Sequence, residues 1–319
     1  MRQEQRDMPQ QRGAFAPANT GLISTLGNTT KRLTNRAKRE VVERIPMLKV
    51  RDAQRRQRRR TDHAPSLPRL ESREQEHRAR LETDGVSITS LADLDLPDTD
   101  ALREALLGLQ SRLQSRLEPG LSTIRVTNDE IAEDPTVWRW GLNERLLDLA
   151  ENYLGLPPRY YGADVRCEVA DTRTFDVRQW HRDIEDDRLF KVLIWLNDVD
   201  IDGGPFEFVP KPVTTAASKT LSYVSGFVSD SRLASAADET HWQAAVGPAW
   251  TAVFADTAHV FHRAKPPTLR NRYSLTITYS SWHPRKLYSK VPFSAAQQAR
   301  IRANLSARQA ACLPDTIGN

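Results

Sequence analysis

Apolar residues recur at helical spacing in the first half of the chain and in short, nearly alternating runs in the second. Leu102, Leu106, Leu107, Leu109, Leu113 and Leu117 fall at intervals that predict one amphipathic helix. Asp98 or Thr99 can cap its start, and Pro119-Gly120 stops it. A second helix is predicted from about Pro135 to Gly155, with Trp138, Leu142, Leu146, Leu147, Leu149 and Tyr153 on its apolar side. Before these, Arg69 to Glu82 reads as a charged helix, Asp84-Gly85 breaks it, and Val86-Ser87-Ile88-Thr89 follows as a strand.

Beyond Pro158 the texture changes. Tyr160 to Ala170, Thr174 to His181, Val192 to Asn197, Pro205 to Val209, Thr220 to Val228, Thr251 to Ala255 and Tyr273 to Tyr279 are rich in β-branched and aromatic residues and are separated by Gly, Pro and Asp. Seven short strands in series predict a β-sandwich or barrel. No helical pattern of comparable strength is expected among them until roughly Ser294, so the predicted fold is mainly β with flanking helices.

The first residues do not join this pattern. Residues 1–30 are polar and carry too little apolar surface to offset the entropy of ordering. Lys31 to Arg60 then alternates basic clusters with Val41, Val42, Ile45, Met47 and Leu48, which would suit a short amphipathic helix, and ends in Arg55-Arg56-Gln57-Arg58-Arg59-Arg60. Residues 1–80 hold 20 Lys and Arg against 9 Asp and Glu, so the net charge of +5 is regional and the remainder is mildly acidic. The expected organisation is a basic, largely disordered arm over 1–68, a β-domain with N-terminal helices over 69–293, and a C-terminal helix and tail over 294–319. No aromatic residues interleave the arginines, which argues against nucleic acid and leaves electrostatic contact with an acidic surface as a role for the arm.

Cys167 and Cys312 belong to no CxxC or Cys/His spacing, so a zinc site or redox pair is not expected; one buried thiol and one exposed thiol are. No run approaches the eighteen or so apolar residues of a membrane-spanning helix, so no transmembrane segment is expected. Glu4, Asp7 and the lack of a sustained apolar stretch speak against a leader peptide, and the expectation is a cytoplasmic protein.

Candidate chemistry sits within the β-rich half. In Gln179-Trp180-His181-Arg182-Asp183, side-chain alternation would put Gln179, His181 and Asp183 on one strand face and turn Arg182 away. A lone HxD is weak evidence. Downstream, Ala255-Asp256-Thr257-Ala258-His259-Val260-Phe261-His262-Arg263 can supply a third ligand, from His262 or His259. Ten residues after His262, Arg272, Ser274, Thr276 and Thr278 share one face of a strand whose other face carries Tyr273, Leu275, Ile277 and Tyr279. Two His and one carboxylate bind one triangular face of Fe(II) and leave positions open for a chelating cosubstrate and dioxygen, whereas structural zinc prefers a closed tetrahedron. An arginine on the wall suits the distal carboxylate of 2-oxoglutarate, because its planar fork pairs bidentately. Lys191 and Gln179 are further candidates for cosubstrate or substrate contact, and Trp195 and Phe208 for packing. His63, His77, His241 and His283 have no partner in the pattern.

Taken together, HRD, the following KVLIWLNDVDIDGGPFEFVP, and DTAHVFHR with RYS ten residues on resemble the phytanoyl-CoA dioxygenase family over roughly residues 81–285. The resemblance implies a double-stranded β-helix, a jelly roll or cupin-like barrel, with Fe(II) inside and 2-oxoglutarate and O2 as cosubstrates. It implies His181, Asp183 and His262 as iron ligands, Arg272 as the 2-oxoglutarate anchor and Ser274 as its helper. His262 is preferred over His259 because it matches the family's Asp-Thr-to-His and His-to-Arg intervals. Hydroxylation of a small-molecule substrate is implied over halogenation, since related halogenases carry a small residue where Asp183 stands. Pro210-Lys211-Pro212 departs from the family's frequent Gly-Ser-His turn. The competing readings are an inactive barrel that binds through its basic arm and a metal-dependent isomerase of the wider cupin class, whose sites favour an HxH pattern that HRD does not match.

Overall fold

The computed structural model describes residues 45–286 and 293–317. Residues 1–44, with Val41, Val42 and most of the predicted arm, lie outside the described residues. The chain divides into two units, 1–49 and 50–319. Of the first, only residues 45–49, around the first turn of a helix over Pro46–His63, are described.

Among the described residues of the second unit, nine strands form two antiparallel sheets. These are β1 (Val86–Ser90), β2 (Thr123–Arg125), β3 (Pro158–Glu168), β4 (Phe190–Trp195), β5 (Phe206–Val209), β6 (Gln243–Ala245), β7 (Thr251–Ala255), β8 (Phe261–Ala264) and β9 (Arg272–Ser281). The larger sheet has the order β1-β7-β4-β9-β3-β2 and the smaller β6-β5-β8. Among the described residues no ladder closes the two into a barrel. The architecture is mixed α/β, with more helix than the expected mainly-β fold.

Strand β9 shows why the layers form. Tyr273, Leu275, Ile277 and Tyr279 project into a core shared with Leu102, Leu106, Leu113, Leu147 and Tyr153 of the helices. The opposite face carries Arg272, Ser274, Thr276 and Thr278, as period-two alternation requires. A second apolar cluster draws on Leu193, Trp195, Val253 and Ala255 of the larger sheet and on Phe206, Phe208 and Ala245 of the smaller, so the two sheets face one another there. Trp195 and Phe208 pack as expected.

Several elements differ from their predictions. The helix at Asp98 runs over Thr99–Ser115, but the Asp98 side chain makes no cap bond, and Leu107 is exposed. The second helix is two, Thr136–Trp140 and Glu144–Leu154, because Asn143 accepts from Arg145 N and restarts the chain as an N-cap. At the break, a Cβ on Gly141 would meet the Tyr160 hydroxyl at 2.4 Å, so only glycine lets that ring approach. Thr174 to His181 is a short 3-10 turn over Asp176–Arg178 followed by isolated bridges, and of the run Thr220 to Val228, Thr220 ends a helix and the rest is loop apart from the bridge Trp180 to Val228. Helices over Lys211–Thr220 and Asp230–Ala234 interrupt the strands where none was expected. The first buries only Thr214 and Ala217, and Thr214 Oγ1 donates to Val209 O while accepting from Phe261 N. A polar residue therefore occupies the packed position, and the apolar periodicity is lost.

Both thiols are buried, where one was expected exposed, and burial pushes each up to about 11; Cys312 ends a C-terminal helix that covers the core. Residues 50–63 of the basic helix are not simply solvated. Arg56 pairs with Asp186 at 3.0 Å, Arg60 with Asp187 at 2.7 Å and His63 with Glu151 at 2.8 Å. Among the described residues no helix is long and apolar enough to cross a membrane.

Candidate metal centre

His181 and His262 come from different chain segments and are locked opposite each other by a pair of main-chain bonds. His181 N donates to His262 O at 3.0 Å, and His262 N donates to His181 O at 2.9 Å. Their rings lie 4.3 Å apart, centroid to centroid. Each ring also bonds a carbonyl through Nδ1, His181 to Gln179 O at 2.8 Å and His262 to Val260 O at 3.2 Å. A carbonyl only accepts, so Nδ1 carries the hydrogen in each ring and the Nε2 lone pair is left free. Both Nε2 atoms face the same carboxylate oxygen, Asp183 Oδ1, at 3.6 and 3.9 Å.

Asp183 is aimed from two sides. Its main-chain N–H donates to Thr257 O at 2.9 Å, and Lys191 Nζ donates to Oδ2 at 2.5 Å, which turns Oδ1 toward the imidazoles. One ligand atom from each of His181, Asp183 and His262 falls within 4.8 Å of the others. Burial would raise the Asp183 carboxyl, but Lys191 first and then the two histidines hold it well below the usual carboxylate range. Burial lowers His181, and burial followed by the charge of His181 brings His262 down to about 3. The trio therefore stands as two neutral imidazoles and one carboxylate, the protonation a divalent metal needs. Phe206 lies 5.5 Å from the His262 ring, and Phe227, 46% exposed, meets the His181 ring edge-on at 5.5 Å.

Arg272 opens β9 and is 2% exposed. Its guanidinium lies 5.5 Å from the centre of the Trp195 ring, and its Nε and Nη1 find no hydrogen-bond partner among the described residues. Desolvation, opposed by Glu168, lowers its pKa to about 10. Glu168 itself is taken by Arg178, at 2.9 Å, and by Thr123, at 3.0 Å. A buried cation with open donors is costly unless an anion completes it. Ser274, two residues on, is buried on the same strand face.

The other sequence candidates separate cleanly. Gln179 reaches the centre through its main-chain carbonyl. Arg182 turns away and donates to Ala258 O at 2.8 Å and Ser218 Oγ at 3.2 Å. His259 bonds Asp256 at 2.7 Å and stands outside the trio. His77 is buried against Ser87, while His241 and His283 are exposed. Sequence reasoning assigned no role to Asp256, which is fully buried and accepts from Tyr153 Oη, His259 Nδ1, Leu189 N and Ala258 N. That network fixes the turn leading into His262. Phe227 carried no signal either, since a loop between two unforeseen helices delivers it.

Three substitutions probe this arrangement. His262→Ala abolishes Fe(II) binding in an anaerobic titration, whereas His259→Ala, which removes a partner of Asp256 and not a ligand, lowers the affinity by no more than about 10- to 100-fold. Lys191→Met leaves the fold intact but releases Oδ2, and Fe(II) affinity falls by about 10- to 100-fold. An unchanged affinity would show that Lys191 does not hold the carboxylate.

No protein-family model matches the chain, and no curated protein matches it. Solved structures do resemble it. AviO1 from Streptomyces viridochromogenes Tue57 aligns at 16% identity over 68% of this chain and 98% of its own, with a TM-score of 0.48. EctD from S. alaskensis in its apo form aligns at 18% identity over 66% and 77%, with a TM-score of 0.46. The epimerase SnoN in complex with Fe3+, alpha ketoglutarate and nogalamycin RO aligns at 17% identity over 74% and 93%, with a TM-score of 0.44. What the centre can do follows from its own geometry.

Proposed function

We propose that the chain is an Fe(II)- and 2-oxoglutarate-dependent dioxygenase, similar to the phytanoyl-CoA dioxygenases, which hydroxylates an aliphatic carbon of a small-molecule or lipid-like substrate and releases succinate and CO2. The observation that carries this reading is the coexistence of a neutral His, neutral His and carboxylate trio with a buried arginine whose donors are open. The trio alone would suit several metals; the arginine asks for an anionic cosubstrate beside it. In chain order β4 lies in the larger sheet, β5 and β6 in the smaller, β7 in the larger, β8 in the smaller and β9 in the larger, and this repeated crossing supports a double-stranded β-helix around the centre.

His181 Nε2, His262 Nε2 and Asp183 Oδ1 fit a facial set that leaves half of an octahedral coordination sphere open. Fe(II) with 2-oxoglutarate and O2 bound would supply the oxidising power to break a substrate C–H bond. The protein's part is ligation, orientation and exclusion of water. Arg272, lying over Trp195, binds the distal carboxylate through its open Nε and Nη1. Ser274 adds a hydrogen bond from the same strand face. Lys191 keeps Asp183 Oδ1 directed at the metal, and Phe206 and Phe227 supply an apolar wall.

The test is succinate formation from 2-oxoglutarate by the purified chain with Fe(II), screened across metabolite pools. Substrate-dependent succinate that disappears in His181→Ala supports the proposal. Iron binding with no succinate from any pool would sink it.

A further inference from the structure

A cleft of about 430 Å³ is lined by Arg55, Arg56, Arg59, Arg159, Trp282 and His283. Asp52 is the one acid among its described lining residues, and it is engaged by Arg56 at 2.9 Å and by Arg285 at 3.5 Å. Arg55 and Arg59 pair with no acid among the described residues. The Arg159 guanidinium sits 5.2 Å from the centres of both the Tyr161 and Trp282 rings, which fixes its plane. His283 is lowered by desolvation and then by Arg59 and Arg55, so these cations converge on the cleft.

The place of the cleft matters as much as its charge. Arg159 is opposite Ser280, and Thr278, two residues back on β9, is opposite Lys191. All therefore share the sheet face that bears Arg272 and Ser274. Two strands across and two residues along put Arg159 roughly 12 Å from Lys191, whose Nζ holds the candidate ligand Asp183. The opposite wall is tied to the same ligand segment, because Arg56 pairs with Asp186, and Asp186 Oδ2 accepts from Ser281 N and Oγ.

We infer that this cleft binds a phosphate or pyrophosphate group of a soluble substrate whose oxidised carbon reaches the metal. Arg55 and Arg59, with no acid partner among the described residues, match a group with up to two negative charges, as a phosphate ester carries at neutral pH, and guanidinium forks pair with its oxygens bidentately. A neutral lipid chain would leave that charge unanswered. The proposal rests on the dioxygenase reading for its substrate role, and it gives the basic helix a part in recognition.

Isothermal titration of inorganic pyrophosphate into metal-free protein containing excess 2-oxoglutarate tests the cleft itself. Wild type is expected to bind saturably, more weakly as salt rises, and the double variant Arg55→Glu, Arg59→Glu to lose at least about tenfold in affinity while melting as wild type does. Arg55→Gln, at an exposed position, serves should the double variant not fold, and weakens binding in the same direction. Equal affinity in wild type and variants, no saturable binding by wild type, or capture by phosphatidic acid vesicles without pyrophosphate binding in solution would overturn the proposal. Because no iron is present, a negative result here leaves the dioxygenase reading standing. Failure of wild type to bind Fe(II) sinks that reading with the pyrophosphate result intact.

Discussion

Asp183→Ala lowers Fe(II) affinity by more than about 100-fold and removes all substrate-coupled succinate formation. Losing an outer-shell partner of a metal site costs about 10- to 100-fold, and Asp183 is the only anionic ligand of its trio. Its removal leaves two neutral imidazoles and turns the Lys191 charge, now without the carboxylate it met at 2.5 Å, toward the incoming cation. Asp183→Asn separates charge from shape: the volume is kept, the negative charge is gone, and iron binding is still lost. Retention of tight Fe(II) binding by Asp183→Asn would mean that the carboxylate is not a ligand.

Arg272→Met raises the apparent KM for 2-oxoglutarate by about 100-fold or more, while Fe(II) binding stays near wild type. Breaking a buried charge pair costs about 3–5 kcal/mol, and every 1.4 kcal/mol is about tenfold. The same substitution has a second, opposite consequence. Without an anion, Nε and Nη1 of the buried Arg272 have no hydrogen-bond partner among the described residues, so an apolar side chain of similar length over Trp195 leaves the free protein as stable or more so. Thermal melting thus reads two things at once: wild type gains stability on adding 2-oxoglutarate, and Arg272→Met starts as high and gains nothing. A variant that melts much earlier than wild type would instead make Arg272 a structural residue.

Much of this centre was legible in the sequence because its chemistry is encoded in short spacings. HRD, the His262-to-Arg272 interval and the alternation along β9 each survive as local patterns, and the structure brings His181, Asp183 and His262 together. The long leucine helix and strands β4, β7 and β9 were legible for a similar reason, since each buries a continuous apolar face. What was not legible depends on partners distant in sequence. The helix over Lys211–Thr220 packs through a hydroxyl, the segment before His181 is held by bridges and not by a ladder, and Asp256 gains its meaning only where Tyr153 and His259 meet it. The arginine run read as part of a basic, largely disordered arm because its partners Asp186 and Asp187 lie about 130 residues on.

The most direct test of the centre is an anaerobic titration of the purified chain with Fe(II) and then 2-oxoglutarate, followed by the visible charge-transfer absorption that the chelated pair produces. Wild type is expected to take up one Fe(II) and to develop the band only after 2-oxoglutarate is added, with no band in Asp183→Ala and one needing far more 2-oxoglutarate in Arg272→Met. A band of wild-type strength in Asp183→Ala, or none in wild type, would contradict the assignment of His181, Asp183 and His262 as an Fe(II) and 2-oxoglutarate site.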